Sequence, residues 1–399
     1  MRISTANTFD AGIETLSRRQ VDIASLQEQL SSGKRVARAS DDPTAAARAE
    51  RATAAIGRAD TSQRAVDASR VAMTQTEATL GNASSLLQRA RELMVSAGNA
   101  SYTDTDRKLI ANELQALRDQ LLSTANQSDG AGTYLFGGQG ATQKPFIDTA
   151  VGVSYAGAPG QTLTEAGTGL PLTSDGKTIW LSARTGNGVF VTSAAASVAG
   201  ATIDGGNVVD PSALTGASYT LQFSVVGAAT TYAVLKDGLP TAVTAAPFVS
   251  GQAITVDGMS VAVSGKPVTG DAFGLAPSTS TLSVFATLDR AIVSLSTTSR
   301  TGSQIAQANA ESLRDVDAVL GNLQTAQGAA GAVLNRIDSE TDRLGNQKLA
   351  SQTERSNAED VDMVHAISDF QNRLNGYDAA LKSYAMVQRL SLFQYVNGS

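Results

Sequence analysis

Four stretches of this 399-residue chain set reactive side chains at spacings that could do chemistry. Asp175-Gly176-Lys177-Thr178 carries the tail of a phosphate-binding loop, in which backbone amides and a lysine cradle phosphates, but the first glycine of that loop would fall at Pro171. Asp104, Asp106 and Lys108 open like a calcium loop; here a lysine stands at a ligand position, Leu109 replaces the turn glycine, and Gln115 stands where a bidentate glutamate belongs. Glu359, Asp360 and Asp362 offer carboxylates for acid–base work or a hard cation. His365 is the only histidine, so neither a histidine triad nor a two-histidine metal site can be assembled within one chain. The acids at 104, 106 and 359–362 fit better as residues of helix first turns, where the macrodipole favours negative charge. No catalytic, cofactor-binding or metal-binding residue is assigned, no cofactor is implied, and the chain does not read as an enzyme. Trp180, the only tryptophan, reads as core of a β-rich region.

Composition narrows the class further. A net charge of −6 provides no basic field for nucleic acid or an anionic membrane. Cysteine is absent, which excludes disulfides, thiolate metal sites and cysteine nucleophiles together. Residues 1–14 hold one arginine and no apolar run of the length a secretory signal needs, so a cleaved signal peptide is not expected. No run approaches the roughly 18 apolar residues of a membrane helix.

Periodicity supplies the elements. Residues 9–30 predict a helix stopped at Ser31-Ser32-Gly33, where glycine can take the left-handed cap conformation. Asp42 then caps a second helix that Pro43 opens. Along it Val66, Met73, Leu80, Leu87 and Met94 recur every seventh residue, each followed three places on by Ser69, Thr76, Ala83, Ala90 and Ala97. Large residues alternating with small ones let a neighbouring helix approach closely. A third helix, to about residue 127, carries Ile110, Leu114, Leu117 and Leu121. Eight of the nine prolines lie between Pro145 and Pro277, among short alternating runs at 219–225 and 253–256 and the turn signals Asp204-Gly205, Asp237-Gly238 and Asp257-Gly258. Helical spacing returns with Phe285, Leu288, Ile292 and Leu295, then Leu313, Val316, Leu320, Leu323, Leu334, Ile337 and Leu344. The fold class is mainly α with an inserted β domain: a long antiparallel helical bundle or coiled coil built from both termini, with a central β-rich region. The expected division is an N-terminal coiled-coil arm at 1–43, a helical rod at 44–150 and 281–358, the β insertion at 151–280 and a C-terminal arm at 359–399.

The last helix is expected from Glu359 to Leu392. Its Met363, Ile367, Phe370, Leu374, Tyr377, Leu381 and Tyr384 alternate steps of four and three, the a/d spacing of a coiled-coil seam. Ile13, Leu16, Ile23 and Leu30 supply a partner in the same register, with Gln20 and Gln27 at the intervening core positions. Ordering two such arms costs more conformational entropy than a lone pair recovers by burying these few side chains. The seam is therefore read as an assembly surface, with both arms folding together as neighbouring subunits pack around them. Leu390, Leu392 and Phe393 extend it, being too apolar for a free tail and too short for a membrane anchor.

The stretch 30–36, Leu-Ser-Ser-Gly-Lys-Arg-Val, followed by Ser40-Asp41-Asp42-Pro43, resembles the N-terminal signature of bacterial flagellins and hook-associated proteins. Residues 320–349, with Gly328, Gly331, Asn335 and Arg336, and the acidic run at 359–362 resemble the C-terminal region of the same superfamily. Residues 1–5, the 129–138 segment and the ending Leu390-Ser391-Leu392-Phe393 with Tyr395 are similar to its hook-filament junction branch more than to flagellin. The resemblance covers about the first 145 and last 115 residues. It implies a structural subunit exported unfolded through the flagellar type III apparatus, with an export chaperone, and assembled outside the cell. Its implied partners are the other hook-associated junction protein, flagellin and further copies of itself in a ring, with no nucleic acid and no membrane insertion. A divergent flagellin, and a surface adhesin carried on helical arms, are the alternatives.

Overall fold

A computed structural model describes residues 5–396 apart from 131, 141 and 166–168, and side chains from Asp10 to Val387 among them. Its helices are α1 (Thr5–Ser32), α2 (Pro43–Ala97), α3 (Asp104–Ala125), α4 (Gly176–Leu181), α5 (Val284–Ser296), α6 (Gly302–Glu359) and α7 (Met363–Val396). The chain divides into two compact units: residues 65–339, and the remainder up to Arg64 together with that from Glu340 onward.

In the unit of residues 65–339, α3, α5 and the adjoining parts of α2 and α6 enclose one apolar core. The small-and-large alternation of α2 is buried throughout: Val66, Met73, Leu80, Leu87 and Met94 are at most 2% exposed, and Ser69, Thr76, Ala83, Ala90 and Ala97 at most 1%. Leu114 and Leu121 of α3, Phe285 and Leu288 of α5, and Val316 and Leu323 of α6 meet them there. Arg91 pairs with Asp317 at 2.6 Å and Arg70 with Asp338 at 2.5 Å, so α2 and α6 run antiparallel. Arg118, at 5% exposure, ties α3 to α5 through Asp289 at 3.0 Å and also grips Asp148. These carboxylates raise the guanidinium's pKa, so it stays charged.

Trp180 belongs to this helical core and not to a β core. It lies on α4, stacked on Phe285 with centroids 6.0 Å apart and meeting the edge of Phe136 at 5.4 Å. The reason is local: Asp175 caps α4 by accepting from the Lys177 and Thr178 amides, and this one-and-a-half-turn helix delivers the indole inward. The hairpin of β1 (Phe146–Thr149) and β2 (Gly152–Tyr155) adds Phe146 to the same cluster.

A second apolar core lies between two antiparallel sheets. One sheet orders β3 (Phe190–Ala194), then β12 (Ala272–Pro277), β6 (Tyr219–Val226), β7 (Ala229–Lys236) and β8 (Leu239–Pro240), with β9 (Ala246–Pro247) also on β7. The other orders β10 (Ala253–Val256), β11 (Met259–Gly265) and β4 (Ala201–Ile203), with β5 (Asn207–Val208) also on β11. Along β6 the buried Tyr219, Leu221 and Phe223 alternate with more exposed neighbours, the period-2 mark of a strand with one face covered. Asp237-Gly238 and Asp257-Gly258 are two-residue hairpin turns with positive φ at both positions (50° and 82°, 39° and 80°), as a type I′ turn demands. Asp204-Gly205 is not a hairpin turn: β4 and β5 both pair with β11, and the Asp204 carboxylate accepts from the Gly206 and Ala262 amides. Gln307 of α6 accepts from the Ile203 amide at 2.8 Å, and Arg314 donates to the Thr192 carbonyl, fixing the sheets to the helical core.

In the other unit, Ala45, Ala49, Ala52 and Ala59 form a buried small-residue stripe on α2, and Lys348 of α6 reaches Asp60 at 2.7 Å. Here also α1 packs against α7.

Candidate assembly surface

Helices α1 and α7 run antiparallel. Gly12 lies against the Tyr384 ring, where a Cβ would come to 3.2 Å; Gly376 lies against the Arg19 guanidinium; and Arg373 pairs with Asp22 at 2.8 Å. These contacts define a seam of Gly12, Leu16, Arg19, Ile23, Leu26 and Leu30 facing Ala366, Phe370, Arg373, Tyr377, Ala380 and Tyr384, each row stepping by four and three. Half of the sequence-predicted seam is in it: Leu16, Ile23 and Leu30 are half-buried, as are Phe370, Tyr377 and Tyr384. Ile13, Ile367, Leu374 and Leu381 each stand one residue off the contact row, and Met363, three residues before Ala366, is exposed. Gln20 and Gln27 are exposed and not core; Leu26, beside Gln27, is half-buried, and Arg19, itself exposed, lays its guanidinium against Gly376. The phase through Ile13 attracts attention for its isoleucine, yet close helix approach selects the phase through Gly12, which accommodates a tyrosine ring.

On α7 the same displacement has a larger effect. The contact row uses Ala366, Arg373 and Ala380, so Ile367, Leu374 and Leu381 stand one residue outside it, 45, 41 and 42% exposed. Met363 and Ile13 are likewise exposed. Helix α7 therefore carries two adjoining faces: one filled by α1, and an apolar one at seven-residue intervals that faces solvent. Val364, Met386 and Val387 add to the exposed apolar surface; sequence reasoning missed them because they fall off the heptad, although the doublets Met363-Val364 and Met386-Val387 mark where one apolar residue must lie outside any single stripe. The side chains of Leu390, Leu392, Phe393 and Tyr395 lie outside the described residues, as do residues 1–4 and Ala131.

The signature residues have structural duties. Gly33 takes φ +70° and stops α1. Asp41 accepts from the Ala37 and Arg38 amides. Asp42 caps α2, accepting from the Thr44 and Ala45 amides and the Thr44 hydroxyl; the Ala45 amide foremost, then the Thr44 hydroxyl, lower its pKa to about 2. The acidic run at 359–362 is not a helix first turn: Glu359 ends α6, Asp360 lies between helices, and only Asp362 caps α7 through the Val364 and His365 amides. Two backbone strands cross there. The Arg35 and Val36 amides both donate to the Glu359 carbonyl, at 2.7 and 3.3 Å, and the Val361 amide donates to Gly33. The Arg35 guanidinium donates to the Ala358 carbonyl at 2.8 Å and to Asp42 at 3.3 Å. In the 129–138 segment, Leu135 and Phe136 are core residues, and Gly138 (φ +69°) passes so close to the Ala158 carbonyl that a Cβ would lie 1.7 Å from its oxygen.

The remaining reactive stretches are caps. Thr103 and Asp106 form a reciprocal capping box at α3, and His365 is an exposed residue of the first turn of α7. A cleft of about 450 Å³ beside Met73, Ile179, Ala326 and Val333 contains one carboxylate, Asp175, already engaged as the cap of α4. Among the described residues no cluster of three or more His, Cys, Asp or Glu could hold a metal ion, and no helix is long and apolar enough to cross a membrane.

Two family models match the chain: the bacterial flagellin N-terminal helical region over residues 3–141 and the bacterial flagellin C-terminal helical region over residues 313–396. The flagellar hook-associated protein 3 of Salmonella typhimurium is 38% identical over 161 residues, a match covering 39% of this chain and 49% of that protein, so the chain spans about half the length of the curated relative it matches. The crystal structure of Xanthomonas campestris FlgL superposes with a TM-score of 0.68 at 31% identity, covering 77% of this chain and 99% of that one. The flagellar junction protein FlgL from Legionella pneumophila superposes with a TM-score of 0.64 at 29% identity, covering 70% and 95%. With flagellin-type helical regions at both ends and a likeness to FlgL extending over nearly all of that protein, the chain belongs to the flagellar hook-associated protein 3 (FlgL) family.

Proposed function

We propose that this chain is a non-catalytic structural subunit of the bacterial flagellum, the adapter that joins the hook, through the other hook-associated junction protein, to the flagellin filament. The observation that carries the reading is the unfilled apolar face of α7, where Ile367, Leu374 and Leu381 lie in line beside a seam that α1 already occupies. A neighbouring helix laid on that face would gain on the order of 1 kcal/mol for each such side chain, since only its exposed two-fifths remains to be covered, with nothing lost from the existing pair. Further copies of the chain in a ring, the other junction protein and flagellin are the partners assigned to the surface, which comprises Ile13, Met363, Ile367, Leu374 and Leu381 and extends to Leu390, Leu392 and Phe393. The filled seam of Leu16, Ile23, Leu30, Phe370, Tyr377 and Tyr384 holds the arm that presents it. Export through the type III apparatus with a chaperone, to an extracellular place on the flagellum, agrees with a cysteine-free chain.

The test is a strain lacking this gene. A junction adapter predicts flagellin shed into the medium from hooks that cannot hold it, and immuno-electron microscopy should place the protein in a short band at the hook end. A bare hook with no shed flagellin, or label along whole filaments, would make the chain a filament flagellin instead. An adhesin would lose its activity on removal of the β sheets, whereas the adapter keeps its assembly.

A further inference from the structure

Arg107 of α3 is a buried cation with an incomplete set of partners, at 7% exposure. Its guanidinium donates through Nη1 to the Tyr102 carbonyl at 2.6 Å and through Nη2 to the Asn99 carbonyl at 3.2 Å, while Nε–H is enclosed with no acceptor. Asp104 stands 4.0 Å off, at the outer limit of an ion pair, and its other oxygen accepts from the Ser299 amide. Burying a charge and leaving one of its donors unmatched are both costly. Arg107 lines a small cavity where the end of α2, α3, α5 and the start of α6 meet, about 10 Å³ in volume, room for one guest of water's size. A second guanidinium, that of Arg300, lines it too, and the oxygens that accept from it, on Ser294 and Gln304, are uncharged. The lining thus sets two guanidiniums against the single carboxylate of Asp104. Asn309 brings a side-chain amide to the wall from α6, and Met94, Leu295 and Ile305 surround the cations with apolar surface, which strengthens their field. The α5–α6 connector bends round the site with Ser299 at φ +62°, a conformation uncommon for serine.

We propose that this cavity is a binding site for one small monovalent anion of the halide class, chloride foremost, which takes the Nε–H of Arg107, balances the second guanidinium of Arg300 and accepts from the Asn309 amide. The anion then ties the start of α3 to the α5–α6 connector and stabilises the helical core of residues 65–339. This goes beyond the adapter reading and does not depend on it, since it concerns the isolated chain.

Thermal unfolding of the full-length protein at fixed ionic strength, with sodium chloride exchanged stepwise for sodium gluconate, tests it, gluconate being too large for the cavity. The midpoint should rise with chloride and level off, the folded-to-unfolded ratio growing about tenfold once chloride exceeds its dissociation constant tenfold. Asn309→Asp sets a fixed negative charge against the same guanidiniums at unchanged size, and this variant should be as stable in gluconate as in chloride. Wild-type crystals soaked in sodium bromide should show an anomalous peak beside Arg107, a readout that does not require the variant to fold. A wild-type midpoint indifferent to chloride, or the absence of a bromide peak, would make the cavity a water site and overturn the proposal. A chloride response that persists in Asn309→Asp would place the anion elsewhere on the chain and overturn it equally.

Discussion

Leu80, Leu87, Leu114, Leu121, Val316 and Leu323 are all 0% exposed in the helical core of residues 65–339, whereas Ile367, Leu374 and Leu381, at the same seven-residue spacing on α7, are 41–45% exposed. Residue types and period do not separate the two groups. What separates them is the number of helices that arrive: the core collects α2, α3, α5 and α6, while α7 has α1 packed on it. A heptad fixes which side of a helix wants cover and leaves open whether the cover comes from the same chain. Small residues mark the answer, since Ala83, Ala90 and Ala97 in the core and Gly12, Ala366 and Ala380 in the arm all sit where a second helix comes close.

The largest effect should come from where the β sheets are cut out. Removing Phe190–Pro277 with a short linker leaves the helical core its aromatic cluster and should leave cooperative helical melting. Removing 151–277 also takes Trp180, whose ring contacts with Phe136, Phe146 and Phe285 fill that core, and should abolish the cooperative transition in circular dichroism. Equal melting of both deletions would break the assignment of Trp180 to the helical side. Next in size, Leu121→Ala should cost about 2–5 kcal/mol by urea denaturation, as a cavity in a fully enclosed site does.

The same chemistry on α7 should be nearly silent in the free chain. Leu374→Asp and Leu381→Asp should change its stability by no more than about 0.5 kcal/mol, the range of exposed positions, yet stop incorporation into flagella. Tyr377→Asp, on the half-buried row, should both destabilise the arm and block assembly. Normal incorporation of the Leu374 and Leu381 variants would remove the exposed face from the assembly surface and erase the contrast drawn between the two helical regions.

Much of this was legible in the chain. The α2 alternation from Val66 to Ala97 predicted burial at every position named, because a packing rule with a small residue beside each large one leaves little choice of phase. The strands at 219–226 and 253–256 and two of the three Asp-Gly turns were legible for a similar reason: alternation and positive φ are local demands. Trp180 was not, because a short capped helix inside a proline-rich region gives no periodic signal, and composition alone groups it with the strands around it. The arm register failed by one residue since hydrophobicity favours Ile13 and Ile367, while the backbone approach that decides the seam favours Gly12 and Ala366. The apparent reactive stretches at 104–108 and 175–178 were informative only as caps, where the acid serves a helix start.

The smallest effect distinguishes regions held by local polar bonds from those held by burial. Asp42 has its pKa lowered to about 2 from an ordinary 3.8, so its carboxylate stabilises the folded chain above the ordinary value, and that contribution disappears as pH falls through the lowered one. Asp42→Asn keeps a cap oxygen and removes the charge. The difference in urea midpoint between wild type and Asp42→Asn should be constant at neutral pH, shrink between about pH 4 and pH 2, and close below that. Over the same interval the Leu121→Ala difference should hold its size, because the cavity it leaves has no proton to lose or gain. A Leu121→Ala difference that also closed in acid would mean the core and the α2 start melt as one element, and a wild-type difference at Asp42 that persisted below pH 2 would place the stabilisation in the cap's geometry and not its charge.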